Sequence, residues 1–464
     1  MSVDQQQLQK QLTELGESLD VPGVAVGVYL AGEEHYAFHG ITNIDNPLTV
    51  DENTLFQFGS TGKTYTSTAL MRLVEEGKVD LHAPVRTYVP ELRLRDENVA
   101  REVTVLHLLN HTAGWDGDLF VDTGSGDDAL ERYVEKMADI QQVTPLGSTV
   151  SYNNASLSLA GRVIEKVTGK PYETAIRELI LDPLGLSNTF FFPNEIMTRR
   201  FATGHNQAPD GTITIARPWA MARNGNPAGG MSATAGDQIA WALFHLGDGR
   251  ARDGRRVLSE DLLKQMQQPT ADMKGSALGD HVGISWLLRD VDGVRFVGHG
   301  GDTIGQHSHF LMIPERDFAI AILTNCGPNG GQLMEELERW ALEAYVGVVE
   351  KDPEPLHLDA AALQPYAGRY ETIAAWAELS VDEGGRLVID VELKPETKKQ
   401  LLEAGEKEPE QPPIPIGILP GDGAQYIVSD GPAKGMKGYF VRSADGTYEA
   451  VHIGGRLATR VKTS

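Results

Sequence analysis

Two apolar runs rich in β-branched residues, Gly23–Leu30 and Phe318–Thr324, stand at opposite ends of the first 350 residues, and most of what lies between them reads as helix. Further strand signals occur at 34–39, 282–288, 294–298 and His307–Ile313. Residues 67–76, 104–110, 129–140, 155–168, 172–181 and Ala235–Leu246 carry helical spacing, separated by Gly, Pro and Asn turns. A helix with Leu8, Leu12, Leu15 and Leu19 on one face precedes the first strand, and another is expected at 331–346. Strands first and last with helices between them fit one α/β domain. Its antiparallel sheet is built from both ends of the segment, is flanked by helices and carries a helical insertion.

The sequence EKDPEP at 350–355 interrupts this pattern with charge and two prolines, as a linker does. Beyond it come short strand candidates at 377–381, 386–391, Gln425–Val428, 438–441, Tyr448–Ile453 and 458–461, with turns at Glu383-Gly384-Gly385 and Asp445-Gly446. These predict a small all-β barrel over 356–464, following a first domain over 1–350. Inside the barrel, residues 394–415 are charged and Pro-rich and are expected to form a mobile loop.

Composition excludes several classes of function. The net charge is −24, most of it on residues 1–350, and such a surface repels nucleic acid and anionic lipid alike. No apolar run approaches the roughly 18 residues of a membrane helix. The polar, Gln-rich N-terminus lacks the basic start and apolar stretch of a secretory leader, so a cytoplasmic location is expected. Cys326 is the single cysteine, which excludes an internal disulfide and a Cys-rich zinc site; within the apolar stretch 319–326 it reads as a buried small hydrophobe. His307-Ser308-His309 places two imidazoles on one strand face, but no H-E-x-x-H motif or carboxylate cluster accompanies them. His107 and His111, one helical turn apart, read as helix-end hydrogen-bonding residues. No metal and no other cofactor are expected. Trp115, Trp219, Trp241 and Trp286 read as core, with Trp219 alone in a loop from which it could line a cleft.

Three short motifs carry chemistry. Ser60-Thr61-Gly62-Lys63 follows the strand-like 54–58 and opens a helix, which puts a hydroxyl at a helix N-terminus and an amine one turn later on the same face. A serine needs a base to take its proton, and a lysine at i+3 in a desolvated cleft can be neutral enough to serve. Ser151-Tyr152-Asn153-Asn154 opens the helical stretch 155–168, so Tyr152 and Asn154 sit where side chains can face a cleft and a phenol can act as an acid/base partner. Gly298-His299-Gly300-Gly301-Asp302 ends the strand-like 294–297, where glycines permit close backbone approach. Two other readings of Ser60 fail. A phosphate-binding loop needs glycine at 57, where Gln57 stands, and a G-x-S-x-G elbow needs one at 58, where Phe58 stands.

In order and spacing, the three motifs resemble the serine β-lactamase and penicillin-binding protein superfamily, in particular the class C-like branch that also holds D-aminopeptidases and carboxylesterases. The likeness covers residues ~10–350 and includes Phe58-Gly59, the TVLHLLNHTAG run at 104–114 and Ala228-Gly229-Gly230-Met231-Ser232. Residues 356–464 resemble the small lipocalin-like barrel that follows many cytoplasmic members, through strand spacing and the LQPYAGRY segment at 363–370. The resemblance implies that Ser60 is acylated, that Lys63 accepts its proton, and that Tyr152 relays a proton to the leaving group and activates the deacylating water. It implies an oxyanion hole from the backbone N–H groups of Ser60 and Asp302, worth several kcal/mol as charge develops on the carbonyl oxygen. It also implies substrate contacts from Asn154, His299, Gly300, Gly301 and Gly230.

Antibiotic-directed members usually carry Lys-Thr-Gly where this chain has His299-Gly300-Gly301, which offers less positive charge and no hydroxyl. The expectation is therefore a serine hydrolase of a small-molecule or short-peptide amide or ester, D-aminopeptidase-like or esterase-like. The alternatives are a β-lactamase or D-alanyl-D-alanine carboxypeptidase, and a non-catalytic ligand sensor. The barrel is expected to act as a lid or as the contact of a homo-oligomer.

Overall fold

The computed structural model describes residues 5–403, 412–431, 433–443 and 445–461. Both ends of the first 350 residues build one eight-stranded antiparallel sheet. Its order is Glu33–Gly40, Gly23–Leu30, Phe318–Thr324, His307–Ile313, Val294–Asp302, Leu287–Val291, Gly279–Val282 and Ala271–Ser276. The two runs that bracket the sequence pair directly, with Val26 opposite Ile322 and Val28 opposite Ile320. Every residue of Phe318–Thr324 is buried, because helices cover both faces of this central strand. On one face Leu8, Leu12 and Leu15 of the Gln5–Ser18 helix pack with Leu333 and Leu337 of the Asn329–Ala341 helix against Val24, Val26, Ile320 and Ile322. Cys326 lies in the same layer with no exposed surface, a small hydrophobe as its neighbours imply. On the other face the helical insertion packs through Ile239 and Trp241 of Ala235–Leu246 onto Ala25, Ala319 and Ala321.

Several elements differ from their sequence signatures. The strand expected at 294–298 continues to Asp302, since Gly300 and Gly301 pair with His309 and Ser308 and the ladder overrides the turn signal of the glycines. The expected strand at 282–288 is two strands separated by a tight turn, in which Gly283 N–H donates to the Trp286 carbonyl (2.8 Å) and Ser285 adopts φ +59°. The strand at 54–58 shrinks to Phe56–Gln57, and the helix expected from 67 begins at Gly62. The helices expected to run through 181 and 346 both contain π-helical turns, Arg177–Leu181, which continues as α-helix to Leu184, and Leu342–Val346.

Gly368–Glu371, Ala375–Val381, Leu387–Leu393, Ile414–Ile418, Gln425–Val428, Lys437–Arg442, Tyr448–Ile453 and Arg456–Arg460 close into an antiparallel barrel. Its interior holds Tyr370, Leu379, Ile389, Tyr426, Phe440 and Val451. The loop expected at 394–415 contains a helix, Pro395–Glu403, and the first residues of a strand from Ile414; residues 404–411 lie outside the described residues. The EKDPEP segment is pinned at both ends. Glu350 pairs with Arg289 (2.9 Å), Asp352 with Arg339 (3.0 Å), and Leu356 N–H donates to the Ile418 carbonyl (2.8 Å). The barrel reaches the first 350 residues through its last hairpin, where Gly455 accepts from Tyr152 N–H (2.9 Å) and Leu457 N–H donates to Ser151 Oγ (3.2 Å). Among the described residues no helix is long and apolar enough to cross a membrane.

Candidate active site

Ser60 lies in a single 3₁₀ turn, Gly59–Thr61, that runs directly into the Gly62–Glu75 helix. This turn is stitched to the sheet from below. Thr61 Oγ1 donates to the His299 carbonyl (3.1 Å), and Ser308 Oγ donates to the Phe58 carbonyl (2.7 Å). Contact here is backbone on backbone: a Cβ on Gly301 would stand 2.1 Å from the Phe58 carbonyl oxygen and 2.7 Å from Ser60 N. Gly59, at φ +51°, meets Asp302 N from the other side in the same way. The Gly59-Ser60 backbone thus lies against that of Gly301-Asp302, the pair assigned by resemblance to the oxyanion hole. Gly301→Ala is expected to force these strands apart, costing about 1–3 kcal/mol of stability from overpacking. Its kcat/KM should fall roughly 100-fold or more through the displaced donors. Thermal unfolding and steady-state kinetics on one preparation check both.

Lys63 is 0% exposed. Its ammonium nitrogen donates to Ser60 Oγ (3.0 Å), to Asn154 Oδ1 (2.7 Å) and to the Ala228 carbonyl (2.7 Å). Burial pushes its pKa well below the usual lysine value, aided by the Arg456 cation and opposed by Asp118. Tyr152 precedes the extended N-cap residue Asn153 of the Asn154–Thr168 helix and is held by that neighbour. Asn153 caps that helix by accepting from Ser156 N–H (2.8 Å), donates to the Trp115 carbonyl (2.9 Å), and donates its N–H to His111 Nδ1 (3.1 Å). The Tyr152 ring faces His111 at 4.6 Å and His299 at 6.1 Å between ring centres, with Lys63 Nζ 4.8 Å from its centroid. Burial holds its phenol pKa above the ordinary value, against opposing contributions from Ser60 and Arg456. The two shifts divide the labour, since burial favours the neutral amine of Lys63 and the protonated phenol of Tyr152.

The structure therefore brings Ser60, Lys63, Tyr152 and Asn154 together, and it gives Asn154 and His299 partners and burial of their own within the protein. Both ends of the Asn154 amide are engaged within the protein, with Oδ1 on Lys63 and Nδ2 donating to Asp118 Oδ1 (2.8 Å). His299 is 3% exposed, and burial first of all, with Lys63 next, lowers its pKa to about 3, so it is a neutral ring under Tyr152. Gly300 sits in the ladder opposite His309, while Gly230 lines a groove of about 420 Å³ whose walls include Phe191, Phe192, Trp219 and Met221. Trp219 is thus a groove residue, whereas Trp115, Trp241 and Trp286 are core. His107 accepts from Thr104 N–H in a capping box (3.1 Å), as a helix-end residue should. His307 pairs with Asp302 (2.5 Å) and His309 with Glu338 (3.0 Å).

Four contributors escaped the sequence reading: the Ala228 carbonyl, His111, Asp118 and Arg456. Arg456 begins the last barrel strand and places its guanidinium 4.9 Å from the Tyr152 ring centroid. Its Nε bonds Asp118 Oδ2 at 2.9 Å and a second nitrogen bonds Oδ1 at 3.2 Å. Residues so far apart in the chain leave no local pattern; the one usable signal was the Gly454-Gly455 turn that sets the hairpin tip.

A serine on a turn beside an antiparallel sheet, contacted by a buried amine that its surroundings drive towards neutrality, is the arrangement of a serine hydrolase. The Beta-lactamase family model matches residues 8–345, and the chain belongs to that family. It is 35% identical over 379 residues to Penicillin-binding protein 4 of Amycolatopsis lactamdurans, covering 80% of this chain and 98% of that protein. Among solved structures it is similar to SurE, also solved with D-Leu, with TM-score 0.76, 24% identity, and coverage of 98% of this chain and 99% of SurE. The octameric penicillin-binding protein homologue from Pyrococcus abyssi superposes with TM-score 0.66 at 22% identity, covering 99% of each chain.

Proposed function

We propose that Ser60 is the nucleophile that attacks a small amide or ester, that Lys63 takes its proton, and that the acyl-enzyme is released to water with Tyr152 as the relay. The observation that carries this reading is the 3.0 Å contact from a buried, pKa-lowered amine to Ser60 Oγ. Protons balance within the pair. The Ser60 proton passes to neutral Lys63, Tyr152 gives its proton to the leaving group, and Lys63 restores the phenol. In deacylation the same groups run in reverse with water as nucleophile. Ser60 and Asp302 N–H groups receive the oxyanion.

The preferred substrate in this reading is an amide or ester with a neutral, apolar acyl side, including peptides that carry a D-residue. Neutral His299 supplies no cation at the strand, and Arg456 is matched by Asp118, so the cleft gains little net charge to hold a carboxylate. The groove walls of Phe191, Phe192, Trp219 and Met221 suit an apolar group. The D-Leu bound by SurE makes D-leucine derivatives the first to try. A second reading, a β-lactamase or D-alanyl-D-alanine carboxypeptidase, is favoured by the 35% identity to Penicillin-binding protein 4. We further propose that residues 1–350 form the hydrolase domain and 356–464 an accessory domain. The Pyrococcus abyssi octamer makes a homo-oligomer the assembly to test by light scattering.

A panel of D- and L-aminoacyl p-nitroanilides, short-chain p-nitrophenyl esters, nitrocefin and a D-alanyl-D-alanine peptide separates the readings. The expected result is kcat/KM for D-leucine p-nitroanilide or a short ester at least about tenfold above that for nitrocefin and the D-alanyl-D-alanine peptide. The reverse order would establish the second reading.

A further inference from the structure

We propose that Arg456, beside the tip of the last hairpin of the barrel, is a positioning residue of the Ser60 site. Forked onto Asp118 and laid against Tyr152, it holds the phenol and the Asn154–Lys63 pair in register and stabilises the charge on the phenol as its proton leaves. This rests on the acyl-enzyme reading above.

The geometry is continuous from the barrel to Ser60. Arg456 grips both oxygens of Asp118; Asp118 Oδ1 accepts from Asn154 Nδ2; Asn154 Oδ1 accepts from Lys63 Nζ; and Lys63 Nζ donates to Ser60 Oγ. Each link is 3.2 Å or shorter. The hairpin is fixed on both sides of the arginine, by Tyr152 N–H on the Gly455 carbonyl and by Leu457 N–H on Ser151 Oγ. The Arg456 backbone is thus anchored at the site, and its side chain is 36% exposed at the rim. A planar guanidinium can fork a carboxylate and cover a ring at the same time, whereas an ammonium cannot.

The charged and titratable groups facing Tyr152 come from every element around it. Lys63 lies on the Gly62–Glu75 helix, His111 and Asp118 on the loops that follow 105–109, His299 and Asp302 on the Val294–Asp302 strand, and Arg456 on the barrel. His111 and His299 both have lowered pKa values, chiefly from burial, and stay neutral; Asp118 and Asp302 disfavour a phenolate. Lys63 is meant to hand its charge on during the cycle. Arg456 is then the one cation of this set that stays charged throughout. The same cation lowers the pKa of Lys63, so its removal raises the pH at which Lys63 becomes a neutral base.

Arg456→Gln and Arg456→Lys test this, using the pH dependence of kcat/KM for an ester and labelling of Ser60 by a fluorophosphonate. In Arg456→Gln the rising limb is expected to move up by about one pH unit, roughly a tenfold loss at a pH on that limb. Arg456→Lys should keep the limb near its wild-type position, because the charge remains, while kcat falls about tenfold because Asp118 is no longer forked. A limb that stays in place in Arg456→Gln, whatever the activity, would overturn the proposal, since a merely structural latch lowers activity without moving it. So would a wild-type kcat in Arg456→Lys, which also decides the matter if the glutamine variant does not fold. Wild-type protein that hydrolyses the ester without labelling at Ser60 would instead refute the acyl-enzyme reading.

Discussion

Lys63→Ala is expected to lower kcat/KM about a thousandfold or more, within the range attributed to a positioned general base and compounded by the loss of three contacts from one atom. The amine is the group through which Ser60 Oγ, Asn154 Oδ1 and the Ala228 carbonyl are joined, so no neighbour can take over its place. Lys63→Met, which keeps an apolar stem and so limits the cavity, should be equally inactive. Its stability provides a second readout. The folded-state pKa of Lys63 lies well below its value in the unfolded chain, so between the two the unfolded state binds the extra proton. Wild-type stability should therefore rise with pH through that window, and Lys63→Met should lack the increment. The activity profile has the same origin, with a rising limb well below the usual lysine range as the amine becomes neutral. Methionine or alanine variants retaining more than a tenth of wild-type kcat/KM would remove Lys63 from the base role.

The charge of the cleft is less simple than His299 alone suggests. A histidine at 299 supplies no permanent cation, and burial, with Lys63 beside it, keeps this ring neutral. The barrel then brings Arg456 to the Tyr152 ring, already paired with Asp118. The cation delivered by Arg456 ties the site to the last hairpin of the barrel.

Local patterns made the core of the site legible. Ser60 and Lys63 are one helical turn apart, and Tyr152 and Asn154 flank a helix cap, so their relation follows from backbone geometry within a few residues. Apolar runs at both ends likewise implied the sheet, since Gly23–Leu30 and Phe318–Thr324 are too uniformly apolar to face water on either side. What escaped depends on distant pairing. Gly300 and Gly301 read as a turn, yet His309 and Ser308 hold them in a ladder that no local signal announces. The bonds of Asn154 to Lys63 and Asp118 also lie beyond local pattern, since Asp118 sits in a loop with no periodicity. Arg456 meets Asp118 across 338 residues of chain. The Pro395–Glu403 helix was hidden by the charge and proline content of its surroundings, which disfavour a packed element without forbidding a short helix.

The second large effect is the one that tests the central claim most directly. Incubation with a fluorophosphonate, followed by intact-mass analysis and peptide mapping, should add one probe mass to the wild-type protein, on Ser60, with loss of esterase activity in proportion to labelling. Ser60→Ala should take up no probe and lose activity by several orders of magnitude, the residual rate coming only from binding and the backbone donors. Equal labelling of wild type and Ser60→Ala, or unchanged turnover in the alanine variant, would contradict the account.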